Sequence, residues 1–227
     1  MSQVDPRAAH LVVPVLQNLF ASKRVSRLDR CGCHDWPVTE SATESVTEVT
    51  APAQTLVIAE AQAGFFEGEK AVAEAAQLGT RLGDLLARAR QAGALIIHLQ
   101  NDGAAGAVDE PGQPGWQLHL PTAEGEQVIR KSRDDGFADT SLGQLLESHK
   151  VRRIVIGGLL SEMCVSATAR TALSRGFQVI LPHDAHGTYD VDDIPASVVA
   201  RVAEHALGDG IELADSSAEV RFASSKG

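Results

Sequence analysis

The chain has 227 residues and a formal net charge of −10, with 44% hydrophobic and 22% charged residues. This composition is typical of a soluble globular protein with one main domain and a sizeable core. The acidic charge argues against a nucleic-acid-binding protein, and the longest apolar runs, 55–59 and 154–160, are too short to span a bilayer.

The first fifty residues differ in composition from the rest of the chain. Residues 38–50 are mostly Ser, Thr, Glu and Val without a helical or strand period, and Ala51-Pro52-Ala53 follows. We interpret residues 1–50 as an N-terminal extension that ends in a linker, and we expect much of it to be weakly ordered. Residues 51–227 are then the main domain.

The cysteines indicate a reducing compartment. Three cysteines do not make a disulfide framework, and the apolar stretch 11–16 has neither the basic flank nor the cleavage site of a signal peptide. We therefore expect a cytoplasmic protein. Cys31, Cys33 and His34 could bind a metal ion, but this set lacks a fourth ligand and we predict no metal there.

From residue 54 onward, apolar strands alternate with helical segments. Continuous apolar strands of this kind indicate a parallel sheet that helices cover on both faces, which is an α/β fold. The predicted strands are 55–59, 94–99, 127–130, 152–156, 177–181 and 211–213, and the predicted helices are 69–92, 140–148, 161–175 and 195–207.

Polar and reactive side chains follow these strands. Open parallel sheets bind their ligands beyond the carboxyl ends of the strands, so we expect a site at this edge. Glu60 follows the first strand, Asn101 and Asp102 the second, Lys131 the third, residues 157–164 the fourth, and His183 and Asp184 the fifth.

Cys164 lies in the segment GGLLSEMCVSATAR, residues 157–170. Two glycines end the fourth strand and a helix begins near Ser161, which places Cys164 in the first turn. Free N–H groups and the helix dipole favour a thiolate there and could hold an oxyanion. From position alone, a small buried hydrophobic residue is an equally good interpretation.

Glu60 and Lys131 could supply the proton transfer that a thiol nucleophile needs. Taken singly, Glu60 is more typical of a cap or ion-pair carboxylate, and Lys131 of a solvated lysine. A carboxylate, a lysine and a cysteine at the ends of three strands of one sheet favour a hydrolytic site.

Three motifs carry a family resemblance: LVIAEAQAGFF (56–66), VIRKSRDDGFADTSL (128–142) and VIGGLLSEMCVSATARTALSRGFQVILPHDA (155–185). They resemble the isochorismatase-like cysteine hydrolases, a superfamily that includes nicotinamidases and carbamoylases. Further stretches, such as PHDAHGTYD (182–190), resemble its streptothricin hydrolase-like members. The resemblance implies a three-layer α/β/α sandwich with about six parallel strands.

The resemblance also implies a mechanism. The family's Asp, Lys and Cys triad falls on Glu60, Lys131 and Cys164, and a cis peptide joins Leu159 to Leu160. The N–H groups of Leu160 and Cys164 would form the oxyanion hole. The substrate would be a small amide, a streptothricin-type lactam or a carbamoyl compound, opened through a thioester. We predict the substrate-pocket residues Phe65, Asn101, Asp102, Trp116, Leu159 and His183.

The same resemblance bears on partners. Family members are commonly dimers or tetramers, so we expect a homo-oligomer that binds a small molecule and neither nucleic acid nor membrane. The stretch 101–119 lacks the Asp-x-His grouping of the metal-binding members, and His183 and His186 fit hydrogen bonding better than metal binding. We predict no metal and no cofactor.

Several alternatives stay open. Glu60 stands where the family usually has Asp, and one extra methylene moves the carboxylate by about 1.5 Å. A catalytically weakened or inactive ligand-binding relative of the same fold is therefore the second hypothesis. Trp116 could stack on a substrate or hold its loop in place. Asp102, Asp109 and Glu110 could attract a cationic substrate or be simply solvated.

Overall fold

A parallel β-sheet organises residues 51–225, the part of the chain that the structure, a computed structural model, describes. The sheet has seven strands in the order β3-β2-β1-β4-β5-β7, and β6 pairs with β4. All these pairs are parallel. The strands are β1 (Thr55–Ala59), β2 (Leu95–Asn101), β3 (Gln127–Lys131), β4 (Arg153–Leu159), β5 (Gln178–Pro182), β6 (His186–Gly187) and β7 (Ile211–Ala214).

Four α-helices connect these strands: α1 (Ala75–Ala92), α2 (Leu142–Ser148), α3 (Ser166–Ser174) and α4 (Ala196–Ala206). Gly93 ends α1 in a left-handed conformation with φ 68°, the usual role of glycine after a helix. Within residues 51–225, no helix is both long and apolar enough to cross a membrane.

Hydrophobic cores lie on both faces of the sheet, which explains why β1 is buried along its whole length. Because successive side chains of a strand point to opposite faces, Val57 packs in one core and Leu56 in the other. The Val57 core contains Leu142 and Leu146 of α2, and the Leu56 core contains Leu82, Leu85 and Leu86 of α1. Burial of each such side chain contributes about 1.5–3 kcal/mol. The predicted three-layer sandwich is confirmed.

The elements differ from the sequence predictions mainly at their ends. The helix predicted from residue 69 begins at Ala75, and Gly68–Lys70 forms a separate 3₁₀ turn. The helix predicted over 161–175 is a π-helical turn, Ser161–Val165, followed by α3. The two-residue strand β6 is too short to show a period in the sequence. The predictions for residues 1–50, including Cys31, Cys33 and His34, lie outside the described residues.

The strand order fixes where a ligand can bind. From β1 the chain proceeds outward to β2 and β3, and it then returns to the other side of β1 to form β4. The connections that leave β1 and β4 therefore diverge, and a crevice opens at their carboxyl ends. Glu60 follows β1 directly and the π-helical turn follows β4, so both lie at this point of the sheet.

Candidate active site

The ends of three strands bring a carboxylate, an ammonium group and a thiol together. The Lys131 Nζ donates a hydrogen bond to the Glu60 carboxylate and lies 3.5 Å from the Cys164 Sγ. Each of these residues is 3–4% exposed. Polar groups that are buried to this extent need hydrogen-bond partners within the protein, and these three groups supply part of that need for one another.

The backbone around Glu60 and Lys131 fixes this contact. Glu60 leaves β1 in the left-handed region with φ 50°, and its N–H donates to the Leu99 carbonyl at 2.9 Å. Lys131 ends β3, and its Nζ also donates to the Arg133 carbonyl at 2.9 Å. The Glu60 backbone is therefore fixed at the end of β1 against β2, and the Lys131 ammonium group is fixed by the segment after β3.

Cys164 lies in the π-helical turn and not in the regular α-helix that the sequence predicts. Single π-helical turns occur frequently at functional sites. The turn follows Gly158, whose φ is 117° and where a Cβ would lie only 1.9 Å from the Ala59 carbonyl oxygen. Glycine thus lets β4 approach the end of β1 closely. A cis peptide joins Leu159 to Leu160, in agreement with the resemblance.

Burial dominates the electrostatics of the three groups. It raises the pKa of the Cys164 thiol, the Glu60 charge adds to that effect, and Lys131 offsets part of it. Burial also raises the pKa of Glu60, although Lys131 opposes it. Burial alone would lower the pKa of Lys131, but the charges of Glu60 and Cys164 outweigh it and raise that pKa. The raised pKa of Cys164 favours the protonated thiol, and the raised pKa of Lys131 favours the ammonium form beside it.

A second carboxylate, which the sequence analysis did not identify, contacts the thiol. The Asp134 Oδ1 lies 3.6 Å from the Cys164 Sγ. Asp134 is an exposed residue of the segment after β3, so its carboxylate approaches the sulfur from the solvent side. The only signal in the sequence is its position three residues after Lys131, which does not separate it from Asp135.

The loop after β2 is held by polar contacts near the site. Gln62 donates from Nε2 to the carbonyls of Asn101 and Trp116, both at 3.0 Å, and accepts the Asn101 N–H at 2.8 Å. Asn101 in turn donates from Nδ2 to Asp109 at 2.6 Å. Gln62 is fully buried and was not predicted as a site residue. Its role is to join the segment after β1 to the loop after β2.

Asp102 and Trp116 belong to another part of the same loop. The Trp116 Nε1 donates to Asp102 at 3.0 Å, and Arg130 forms an ion pair with Asp102 at 2.7 Å. The Arg130 guanidinium also lies 5.0 Å from the centre of the Trp116 ring. These contacts favour the interpretation in which Trp116 holds its loop in place. Trp116 lines a cavity of about 390 Å³ with Gln100, Leu118 and Val128.

The other predicted pocket residues lie in different surroundings. Phe65 and Leu159 are buried in the core on the α1 side of the sheet. His183 lies at 2.7 Å from the buried Glu204 carboxylate, which His186 also contacts at 3.1 Å. Together these three residues line a separate cavity of about 330 Å³. The described side-chain contacts of His183 are thus with Glu204 and Arg201, and none is with the thiol.

Metal-binding geometry is not found in residues 51–225, where no group of three His, Cys, Asp or Glu side chains converges suitably. Asp102 is engaged by Arg130, whereas His119 stacks on Phe66 and contacts Glu67.

Comparison with known proteins gives consistent matches. The model of the isochorismatase domain matches residues 54–208. A streptothricin hydrolase of Streptomyces noursei is 54% identical over 178 residues, which cover 74% of this chain and 64% of that protein. A second streptothricin hydrolase of Streptomyces noursei is 53% identical over 181 residues, which cover 76% of this chain and 72% of the relative.

Solved structures share the architecture. The crystal structure of an isochorismatase from Pseudomonas putida KT2440 superposes with a TM-score of 0.70 at 27% identity, over 75% of this chain and 93% of that one.

Proposed function

Because the chain belongs to the isochorismatase family, we propose that it hydrolyses a C–N bond of a small amide, lactam or carbamoyl compound through a thioester on Cys164. The observation that carries this proposal is the buried contact of Lys131 with both the Glu60 carboxylate and the Cys164 sulfur. The names of the two Streptomyces noursei relatives make a streptothricin-type lactam the first substrate to test.

In the first step the Cys164 sulfur attacks the carbonyl carbon while Glu60 accepts the thiol proton. The raised pKa of the thiol means that little free thiolate exists beforehand, so proton transfer accompanies attack. The raised pKa of Glu60 makes it a better proton acceptor than an ordinary carboxylate. Lys131 stays protonated and compensates the negative charge that develops near the sulfur.

The tetrahedral intermediate carries its negative charge on the former carbonyl oxygen. The backbone N–H groups of Leu160 and Cys164 are the proposed donors to this oxygen. When the C–N bond breaks, Glu60 returns the proton to the leaving nitrogen, and a thioester remains. In a lactam the amine stays attached to the acyl group, whereas a carboxamide releases ammonia.

Hydrolysis of the thioester regenerates the site. Glu60, again a carboxylate, takes a proton from water as the water oxygen attacks the thioester carbon. The C–S bond then breaks, Cys164 recovers a proton, and the carboxylic acid leaves. Each turnover consumes one water molecule, and the side chains named here carry out every proton transfer of this mechanism.

The catalytically weakened or inactive ligand-binding relative remains the second hypothesis, because Glu60 stands in the position usual for Asp. The contact between Lys131 and Glu60 argues against it, since the longer side chain still reaches the ammonium group. A cytoplasmic location and a homo-oligomeric state remain predictions.

Mass spectrometry of turnover tests the proposal. The protein is incubated with streptothricin, nicotinamide and N-carbamoyl amino acids, and we expect a hydrolysis product from at least one of them. That product is a ring-opened acid heavier by one water molecule from streptothricin, nicotinic acid from nicotinamide, or the free amino acid from an N-carbamoyl amino acid. Cys164→Ala should abolish that product, and Cys33→Ser, which removes a thiol of the N-terminal segment, should leave it unchanged. Full turnover by Cys164→Ala would refute the thioester route.

A further inference from the structure

One carboxylate in the candidate site has no cation to balance it. The Asp134 Oδ1 lies 3.6 Å from the Cys164 Sγ, and Asp134 forms no ion pair with a lysine or arginine of residues 51–225. The neighbouring acids are engaged elsewhere. Asp135 accepts hydrogen bonds from Thr171 and the Phe137 N–H, and Asp139 pairs with Arg133 at 2.9 Å.

The charge beside the sulfur is consequently negative. Lys131 is already in contact with Glu60, and the two charges of that pair compensate each other. Asp134 adds one further negative charge, which raises the pKa of the thiol beyond the effect of burial and Glu60. An uncompensated carboxylate next to a nucleophile that must ionise opposes the reaction, unless the substrate brings the opposite charge.

Two acids of the loop after β2, Asp102 and Asp109, do not have this property. Asp102 is neutralised by Arg130 at 2.7 Å, and Asp109 is 5% exposed and accepts a hydrogen bond from Asn101. Asp134 is instead exposed to solvent, where an incoming ligand can reach it, and it lies directly beside the reacting atom.

We propose that Asp134 determines specificity by binding a guanidinium or ammonium group that the substrate carries close to the carbonyl under attack. This inference rests on the proposed function, because it requires that Cys164 attack a carbonyl. A cation held by Asp134 would orient the substrate over the sulfur and cancel the negative charge that opposes ionisation of the thiol. Neutral amides would lack both effects.

The charge preference of the thiol is measured without turnover. Cys164 is alkylated with the cationic reagent 2-bromoethylamine and with neutral iodoacetamide, and peptide mass spectrometry separates it from Cys31 and Cys33. Rates are normalised to N-acetylcysteinamide, a neutral thiol. We expect the wild type to favour the cationic reagent by on the order of tenfold. Asp134→Asn should lose this preference, and Asp139→Asn, which removes a charge from the same segment, should keep it.

A matched pair of substrates provides the second measurement. The compounds 4-guanidinobutanamide and 4-ureidobutanamide differ in charge but hardly in shape, and kcat/KM is measured for both. We expect the wild type and Asp139→Asn to prefer the guanidinium compound, and Asp134→Asn to lose that preference, mainly through KM.

The outcomes separate this inference from the proposed function. An unchanged alkylation ratio in Asp134→Asn, or an unchanged substrate preference in a variant that still hydrolyses amides, overturns the role of Asp134 alone. If no amide is hydrolysed but the alkylation ratio depends on Asp134, the hydrolytic function falls and the cation-binding role of Asp134 stands.

Discussion

The Glu60–Lys131 pair affects the stability of the fold and, in the proposed mechanism, the reaction. Both side chains are almost completely buried, and removal of one partner of such a pair costs about 3–5 kcal/mol because the remaining charge is unpaired. In the proposed mechanism, Cys164 depends on the same pair for a proton acceptor and a compensating charge. If that mechanism operates, substitutions at these two residues change activity and stability together.

Replacement of Lys131 by Met should make stability depend on pH. The unpaired Glu60 carboxyl would have a folded-state pKa above its unfolded value, because burial penalises its charged form. The folded state then binds more protons than the unfolded state, so the free energy of unfolding falls as the pH rises. We expect Lys131→Met to be less stable at pH 8 than at pH 5 in urea titrations.

The double variant provides the control for this prediction. Glu60→Gln/Lys131→Met has no carboxyl at position 60, so the pH dependence caused by Glu60 should disappear and the free energy of unfolding should exceed that of Lys131→Met at pH 8 by about 1–3 kcal/mol. All these variants should lose catalysis by a factor on the order of 100 or more. A Lys131→Met protein with the wild-type pH profile would show that Glu60 is not held in a dry environment.

At the scale of elements, the close approach of β4 to β1 depends on Gly158. Its φ is 117°, and a Cβ added there would lie 1.9 Å from the Ala59 carbonyl oxygen, so there is no room for a side chain. We expect Gly158→Ala to lower the free energy of unfolding by about 4 kcal/mol or more, measured by urea denaturation.

Gly112 offers a matched control, because its φ is 84° but nothing lies within 4 Å of a Cβ there. Gly112→Ala should cost only about 1–2 kcal/mol from its backbone conformation. Equal losses in the two variants would mean that backbone conformation, and not the contact with β1, makes glycine necessary at Gly158.

The sequence could predict some of these elements and not others. The apolar runs locate β1 and β4 because a parallel strand buried on both faces leaves an uninterrupted hydrophobic stretch. The π-helical turn was missed because its composition, SEMCV, does not differ from that of an ordinary helix start. Its geometry depends on contacts with other elements.

The residues of the candidate site also differ in whether the sequence could predict them. Glu60, Lys131 and Cys164 could be proposed together because each one follows or ends a recognisable strand. Asp134 and Gln62 could not, because their contacts depend on how connecting segments fold over the sheet. His183 follows a strand as well, but its side chain contacts Glu204 of α4, and no local pattern indicates that partner.

At the scale of the whole molecule, the sheet, both cores and the candidate site lie within residues 51–225. The chain near residue 51 is tied down, since the Ala53 N–H donates to the Arg221 carbonyl at 2.8 Å. A protein that begins at residue 51 should therefore keep the thermal midpoint of the full chain and a kcat/KM within about twofold of it.

The thermal midpoints of the truncated and full-length proteins are compared by calorimetry, and their kcat/KM values by hydrolysis of the substrate found in the screen. Light scattering is recorded for both proteins. A truncated protein that unfolds early or loses turnover would show that residues 1–50 contribute to the folded enzyme. It would contradict their interpretation as an extension.

The divergence of the chain at β1 and β4 has a consequence for how such a protein can change over generations. The acid and the sulfur project from the two central strands, whereas the long loop after β2 and the segment that carries Asp134 leave from strands on one side. In the proposed mechanism, mutations in those peripheral segments would change which substrate binds while Glu60 and Cys164 keep their positions. A hydrolase for a different substrate would then evolve through changes in these loops alone, without a change in the sheet.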